Sequence, residues 1–296
     1  MTKKHKKPIS PILLNLWTDK GHTFAIWSKE SRTLLHNAFC EFRQRLLKRL
    51  TSRCTHVKNR GGVKGAVRWL SSRLKDYKFV ARFDIASYYN SIDHSQLLHL
   101  FKTEIGSSDL YDIVQDYIQM PDYLNRGKGI IAGGSISPLL GALYLLPLDR
   151  AMQEYVSTGK VFYIRYMDDV IILSKKKWHL RKAISILNEV ILSLSLELHP
   201  EKKFIGRISK GFDFLGYIFK KGRKLRPSKV SLKRFVVRAR QLYEQGANYN
   251  RLRQYVAQWV KYIHAGLNGL VSRKGGSKRY LVFIVKQLGL VNQLIE

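Results

Sequence analysis

Apolar residues follow two rhythms along this chain. Two unbroken apolar runs, Val161-Phe162-Tyr163-Ile164 and Val170-Ile171-Ile172-Leu173, flank the stretch Arg165-Tyr166-Met167-Asp168-Asp169. Short β-forming runs around a tight polar centre predict a β-hairpin with two carboxylates at its tip. Phe79 to Ile85 is a third such run, predicting a largely buried strand that Asp84 interrupts near its C-terminal end. Elsewhere the spacing is three and four. Leu180, Ile184, Leu187, Val190, Ile191 and Leu194 predict an amphipathic helix packed on a sheet. Thr33-Leu34-Leu35 through Arg49-Leu50 keeps the same spacing, and the region before about Lys78 reads as helical and basic.

Punctuating residues divide these elements. The glycines of Lys58-Asn59-Arg60-Gly61-Gly62-Val63-Lys64 predict a loop, leading into a helix over Ala66-Val67-Arg68-Trp69-Leu70. Asp93 is a credible N-cap for a helix that follows the Asp84 strand. Gly127-Lys128-Gly129 marks a turn; Ser137 and Pro138 read as N-cap and first turn of another helix, which Pro147 should kink or end. Phe214-Leu215-Gly216-Tyr217 reads as a strand whose glycine permits a close approach. After Lys224 the chain is helical and basic, with Lys229, Lys233, Arg234, Arg238, Arg240, Arg251, Arg253 and Lys261. The order strand, helix, helix, hairpin, helix, strand predicts an α+β fold: a small antiparallel sheet backed by helices, then a helical C-terminal part.

Charge sharpens the picture. The chain carries 53 Lys and Arg against 21 Asp and Glu, a formal net charge of +32. At 45% hydrophobic residues it builds a real core, so it is no basic tail. Such a charge self-repels, and a polyphosphate is its natural counterion. Salt-adapted proteins run acidic instead, and a membrane-surface role would gather the cations on one amphipathic helix. The basic segment Met1 to Lys7 is followed by Ile12-Leu13-Leu14, too short for a signal sequence, and no stretch approaches a membrane span. A cytoplasmic location is expected. Cys40 and Cys54 exclude a disulfide framework and a zinc finger; each reads as a buried or half-buried thiol. Trp69, Trp178 and Trp259 read as packing residues.

The carboxylates carry the chemistry. Adjacent Asp168 and Asp169 repel, and apolar strands give them no local counter-charge. A buried Asp84 without a partner would cost several kcal/mol, so it should pair or bind metal. Nucleotidyl transfer uses about three such oxygen donors around two Mg²⁺ ions roughly 4 Å apart. Asp84, Asp168 and Asp169 supply that set if their strands are neighbours in one sheet.

At these residues a resemblance is plain. Phe83-Asp84-Ile85 followed by Tyr88-Tyr89-Asn90-Ser91-Ile92-Asp93-His94 resembles motif A of bacterial reverse transcriptases. Gly133-Gly134-Ser135-Ile136-Ser137-Pro138-Leu139-Leu140 resembles motif B, and Arg165-Tyr166-Met167-Asp168-Asp169 motif C. Glu201-Lys202-Lys203 resembles motif D, and Phe214-Leu215-Gly216-Tyr217 resembles motif E, the primer grip. All five stand in the family's order, from roughly Arg53 to the C-terminus, and look closest to the group II intron-like lineage. The resemblance implies a right-hand polymerase: fingers over residues 1–78, palm over 79–101 and 131–222, a fingers–palm connection over 102–130, and a basic helical thumb over 223–296. It leaves no room for an appended endonuclease.

The resemblance also implies roles. Asp84, Asp168 and Asp169, with the Ile85 carbonyl, would hold two Mg²⁺ (or Mn²⁺). Tyr89 matches the steric gate against a ribose 2′-hydroxyl, on an extended segment that points Tyr88 and Tyr89 opposite ways. Lys202 matches the lysine that protonates departing pyrophosphate, with Lys203 as its competitor. Gly133 and Gly134 would let backbone approach the nascent base pair or template. Gly134, Ser137, Pro138, Tyr166, Met167, Phe214, Leu215, Gly216, Lys233 and Arg234 would contact primer or template. Arg165 either meets substrate or pairs with a palm carboxylate. Two departures stand out: Ala132 replaces the usual Gln, and no Arg-Pro-Leu segment holds the triphosphate, leaving Lys58, Arg60, Lys64 or Arg82 to do so.

The implied activity is RNA-directed DNA synthesis from dNTPs, with an RNA template or structured RNA partner and a DNA product, in a stand-alone or defence-associated setting. An RNA-dependent RNA polymerase on the same palm is disfavoured by Tyr89. An idle RNA-binding scaffold is disfavoured by the intact carboxylates, which would repel nucleic acid without metal between.

Overall fold

The computed structural model describes residues 10–19 and 22–289; the basic segment Met1 to Lys7 lies outside them. The chain opens with a two-stranded antiparallel hairpin, β1 (Leu13–Asp19) and β2 (His22–Trp27). This hairpin departs from the helical reading of the region before about Lys78. The runs are short, and five of the seven residues of β1 are exposed, so the apolar pattern is too sparse to announce a strand. Ser28 then caps α1 (Lys29–Leu47), whose Leu35, Ala38, Phe42 and Leu46 recur at helical spacing on the buried face. Next, α2 (Gly62–Arg73) begins inside the predicted loop.

Then come β3 (Phe79–Phe83), the single turn α3 (Tyr88–Ser91), α4 (His94–Glu104) and α5 (Ser108–Gln119). The Asp93 carboxylate accepts the Gln96 N–H, the expected cap. α6 (Ser137–Tyr144) and α7 (Leu146–Ser157) each have a proline in the first turn. Pro147 opens α7, and α6 stops just before it; Ser137 is the first helical residue, not the cap. The predicted hairpin is β4 (Val161–Tyr166) and β5 (Asp169–Ser174), followed by α8 (Lys177–Ser193) and β6 (Phe204–Arg207). Three short strands, β7 (Phe212–Phe214), β8 (Tyr217–Phe219) and β9 (Arg226–Pro227), precede α9 (Lys229–Glu244), α10 (Tyr249–His264) and α11 (Gly276–Gln287).

The chain divides into two compact units. One comprises 1–62 and 79–205, the other 63–78 and 206–296, so that the division falls within β6. The first unit holds a sheet of order β4-β5-β3-β6. Both β4 and β3 pair antiparallel with β5, and Val80 and Ala81 of β3, Tyr163 and Ile164 of β4, and Ile171 and Ile172 of β5 are fully buried, so both faces of the sheet are covered. α7 and α8 pack on the sheet, and Met152, Leu180 and Leu187 from these helices are buried in the core cluster. That two-sided burial explains why these strands read as unbroken apolar runs and not alternating ones.

In the second unit the sheet β7-β8-β9 lies with a three-helix cluster. Phe235 stacks on Trp259 at 4.0 Å and on Tyr255 at 5.4 Å, with Tyr280 edge-on. α2 belongs to this unit: the Lys64 ammonium bonds the Tyr262 carbonyl at 2.7 Å, at the C-terminal end of α10, and the Tyr217 hydroxyl at 2.5 Å. Phe214-Leu215-Gly216-Tyr217 is not one strand. Leu215 and Gly216, at φ +47° and +85°, form the two-residue turn joining β7 to β8. Paired positive φ values are what such a hairpin turn demands.

Candidate active site

The site is built at the ends of two adjacent strands. Tyr166 pairs with Asp169, leaving Met167 and Asp168 as the turn of the β4–β5 hairpin. Phe83 pairs with Val170, so Asp84, one residue on, leaves the sheet beside Asp169. The chain after Asp84 stays extended: the Ala86 N–H bonds the Glu197 carbonyl, and the Asp84 carbonyl accepts the His199 N–H. Ile85 bridges Leu198 between those bonds, so its own carbonyl takes no part in them. The sheet therefore brings together all three predicted carboxylates.

Met167 sits at φ +55°, a strained region for a residue with a Cβ. Two side chains clamp it. His56 Nδ1 accepts the Met167 N–H at 3.1 Å, and Arg165 donates to the Met167 carbonyl at 2.8 Å. Because Nδ1 accepts, His56 Nε2 carries the proton and donates to the Pro138 carbonyl at 3.1 Å. His56 thus ties the start of α6 to the hairpin turn. Burial, reinforced by the nearby Arg165 charge, pushes its pKa down to about 4, so it stays neutral.

Arg165 is fully buried and forked onto Asp149, also fully buried. Tyr163 donates to the same carboxylate at 2.7 Å. Of the two roles open to Arg165, pairing with a palm carboxylate is the one observed. His56 and Asp149 are functional candidates that sequence reasoning missed. Neither sits in a motif, and both meet the turn only through tertiary packing.

Two cations now neutralise the carboxylates. Lys202 reaches Asp84 at 2.9 Å. Arg82 bonds both oxygens of Asp169, at 3.1 and 3.4 Å. Burial raises the Asp168 pKa, with Asp84 adding to the rise. Burial likewise pushes Asp169 up to about 7; Arg82 opposes the rise while Asp84 and Asp168 add to it. The acids are thus crowded, mutually repelling oxygen donors, the chemistry a hard divalent cation relieves. Among the described residues no three acidic, imidazole or thiol side chains are gathered tightly enough to chelate a metal as they stand. The donor set fits a metal in chemistry; Lys202 and Arg82 have to yield their carboxylates to it.

Around this centre the other predicted residues take several positions. Tyr88 and Tyr89 lie on the helical turn α3, entered through Ser87 at φ +45°, and not on an extended segment. Tyr88 is buried and bonds the Gly141 carbonyl at 2.6 Å; the Tyr89 hydroxyl is buried and has no hydrogen-bond partner among the described residues. A Cβ on Gly141 would lie 3.2 Å from both rings, so α6 presents a glycine to this pair. The Ala132 N–H donates to the Thr23 carbonyl at 2.6 Å, which sets the glycine loop beside the first hairpin. Gly133 is exposed at φ +70°. Gly134 has another reason to be glycine: a Cβ there would fall 1.8 Å from the Tyr117 hydroxyl.

Ser137 bonds that hydroxyl and is fully buried, so its side chain faces the core and not a primer or template. Pro138, Tyr166 and Met167 are half-buried. In the second unit, Phe214 is a core residue, its burial complete, while Leu215 and Gly216 are half-exposed at the turn and Lys233 and Arg234 are exposed on α9. Of the four candidates for the triphosphate, Arg60 bonds the Leu47 carbonyl at the end of α1 and the Leu50 carbonyl just beyond it, and Lys64 is engaged at α10. Lys58 is exposed and Arg82 stands at the carboxylates. Cys40 is exposed and Cys54 buried. Trp259 packs, whereas Trp178 is 54% exposed.

Residues 29–219 match the family described as reverse transcriptase (RNA-dependent DNA polymerase). The chain belongs to the reverse transcriptase family. Protein YkfC of Escherichia coli (strain K12) is 24% identical over 176 residues, 47% of this chain and 46% of that protein. Among solved structures, apo telomerase from Candida tropicalis, truncated from its C-terminal domain, superposes with a TM-score of 0.57 at 12% identity, covering 74% of this chain and 55% of that one. Telomerase from Candida albicans, in complex with a fragment of telomeric RNA, gives 0.57 at 11% identity, covering 97% and 60%. The reverse transcriptase chain spans about half the length of these relatives. At such identities the likeness carries the polymerase fold. Among the described residues no helix is long and apolar enough to cross a membrane.

Proposed function

We propose that this chain is an RNA-directed DNA polymerase that extends a primer with dNTPs. One observation carries the reading: adjacent antiparallel strands deliver Asp84, Asp168 and Asp169 to one place, with Asp168 on a turn whose Met167 is clamped at both backbone polar groups. Preorganisation of that kind is what phosphoryl-group transfer requires of a protein, since the chemistry is mostly positioning and charge.

Asp84 and Asp168, with Asp169 and the Ile85 carbonyl, would hold the Mg²⁺ pair. Bound there, the metals lower the pKa of the primer 3′-hydroxyl and neutralise the triphosphate. Arg82, released from Asp169, would offer its fork to the triphosphate. Lys202, released from Asp84, would hold a proton for the departing pyrophosphate. The Tyr89 ring would exclude a ribose 2′-hydroxyl, and Gly133 would let backbone close on the nascent pair. The Leu215–Gly216 turn would meet the primer backbone, and the exposed cations of α9, Lys233 and Arg234 among them, would meet template or primer phosphates. The motifs favour the group II intron-like lineage and a structured RNA partner.

The test is primer extension on a defined RNA template with Mg²⁺ or Mn²⁺, comparing dNTPs with rNTPs. Metal-dependent dNTP incorporation is expected. Preferential rNTP incorporation would instead mean an RNA polymerase, and no incorporation of either would leave only an RNA-binding scaffold.

A further inference from the structure

The far end of the catalytic hairpin carries a feature that the polymerase reading does not use. Val161 pairs with Ser174 at the end away from the carboxylates, five residue pairs from Tyr166–Asp169, or about 17 Å at strand rise. Beyond that last pair the two strands continue as Lys160 and Lys175, and the chain runs on as Lys176, Lys177 and Trp178 into α8, where Arg181 and Lys182 follow. All seven side chains are exposed. Among the described residues none of the six cations forms an ion pair.

Trp178 distinguishes this patch from the general basicity of the chain. Trp178 is 54% exposed, yet its ring is not loose: it lies 3.4 Å, centroid to centroid, from the His179 imidazole. His179 is in turn fixed by the Tyr155 hydroxyl at 2.9 Å. Burial, then the charges of Lys160 and Lys176, hold the His179 pKa down. Lys182 sits over the Tyr155 ring at 5.8 Å. The result is one rigid aromatic face with a wet, open side, set among uncompensated cations.

We infer that this patch is a second nucleic-acid contact, outside the catalytic site, at which Trp178 stacks on an unpaired base of single-stranded RNA while Lys175, Lys176 and Lys177 neutralise the flanking phosphates. Single-stranded binders combine these two elements: cations that track the backbone and a flat side chain on which any base can stack. The inference rests on the polymerase reading for its partner. An acidic protein would match the cations but has no comparable use for a fixed, open aromatic face. A patch about 17 Å from the reacting atoms suits a template strand or partner RNA that extends beyond the catalytic centre.

The experiment uses the full chain and two RNA templates with the same primer, one with a two-nucleotide overhang and one with a single-stranded extension of about forty nucleotides. The variants are Trp178→Ala and the triple Lys175→Gln, Lys176→Gln, Lys177→Gln, each checked by thermal melting. Incorporation on the short template should be unchanged in both, which tests the polymerase reading separately. On the long template Trp178→Ala should raise KM roughly tenfold, and Trp178→Phe should restore most of it. The triple variant should reduce the magnitude of the log-affinity against log-salt slope for the long RNA by about 2, at ~0.7 per lost phosphate contact. Equal KM on both templates for wild type and variants would overturn the inference. So would loss of binding to acidic vesicles with RNA binding unchanged, which would make the patch a lipid contact.

Discussion

Arg165 and Asp149 form an ion pair from which water is wholly excluded, and the same guanidinium holds the carbonyl of Met167. Stability and catalytic geometry therefore meet in one side chain. Asp149→Asn should cost about 3–5 kcal/mol in denaturant unfolding, because it leaves Arg165 buried and uncompensated. Replacing the whole group with apolar residues, as Asp149→Leu, Arg165→Met and Tyr163→Phe together, should recover most of that stability. The recovered protein should still be a poor polymerase, since the Met167 carbonyl loses its donor and a shift of about 1 Å in the turn is worth up to ~10²-fold. A stable triple variant with full activity would show that the clamp serves folding alone.

His56 is the other half of the clamp. His56→Ala frees both the Met167 N–H and the Pro138 carbonyl, so kcat should fall about tenfold or more with little change in KM for dNTP. His56→Gln offers an acceptor and a donor from one side chain and should restore part of kcat. A change confined to melting temperature would show that His56 only packs.

Asp168→Asn removes a charge from the carboxylate cluster at nearly constant volume. DNA synthesis should fall by orders of magnitude while RNA binding, measured by filter retention, survives. Full dNTP incorporation by the variant would contradict the assignment of Asp168 as metal ligand.

The Asp169 carboxyl, raised from 3.8 to about 7 chiefly by burial, predicts a pH effect on the metal-free protein. A folded pKa above the unfolded one means the native state binds this proton more tightly. Its stabilisation is complete below about pH 4 and is lost as pH rises through 7. The Asp168 carboxyl, also raised, acts in the same direction. Thermal melting in chelator at pH 5 and pH 8 should show a decline that Asp169→Asn reduces. An identical decline in the variant would mean that Arg82 already holds Asp169 ionised throughout.

The sequence revealed the carboxylate-bearing strands because burial on both faces writes unbroken apolar runs, and because Asp84, Asp168 and Asp169 interrupt or end them. It concealed the first hairpin, since Leu14, Trp17 and Ile26 face solvent there and produce no core-facing alternation. The turn at Leu215–Gly216 was hidden by Phe214 and Tyr217, whose buried rings made four residues look like one strand. His56 and Asp149 had no local signature, because what defines them is a contact 111 and 16 residues away along the chain.

Tyr89→Ala should admit ribonucleotides. Among the described residues the Tyr89 hydroxyl makes no hydrogen bond, and its ring packs against Gly141, so removing it opens volume without breaking a polar network. The ratio of dNTP to rNTP efficiency should fall at least tenfold. Tyr88→Ala, which breaks the bond to the Gly141 carbonyl, should lower stability instead. If the ratio moves only in the Tyr88 variant, the two rings have been assigned the wrong way round.

Ala132 supports the sharpest expectation. Its N–H is engaged by the Thr23 carbonyl at 2.6 Å, so the backbone here is fixed to the first hairpin, and its methyl offers no hydrogen bond. The neighbouring Gly133, exposed and at φ +70°, offers no side chain to compensate. The resemblance to group II intron-like enzymes implies a Gln at this position that would reach toward the incoming nucleotide and its template base. A hydrogen bond absent there is worth about 0.5–1.5 kcal/mol, or roughly 2- to 13-fold in discrimination between right and wrong pairs. The wild-type enzyme is therefore expected to be less accurate or less processive than Ala132→Gln on the same template. The comparison needs only error frequency and product length for the two proteins at matched Mg²⁺ and dNTP. A Gln variant that is neither more accurate nor more processive would show that the missing contact is supplied by another group, and that the substitution at 132 carries no cost.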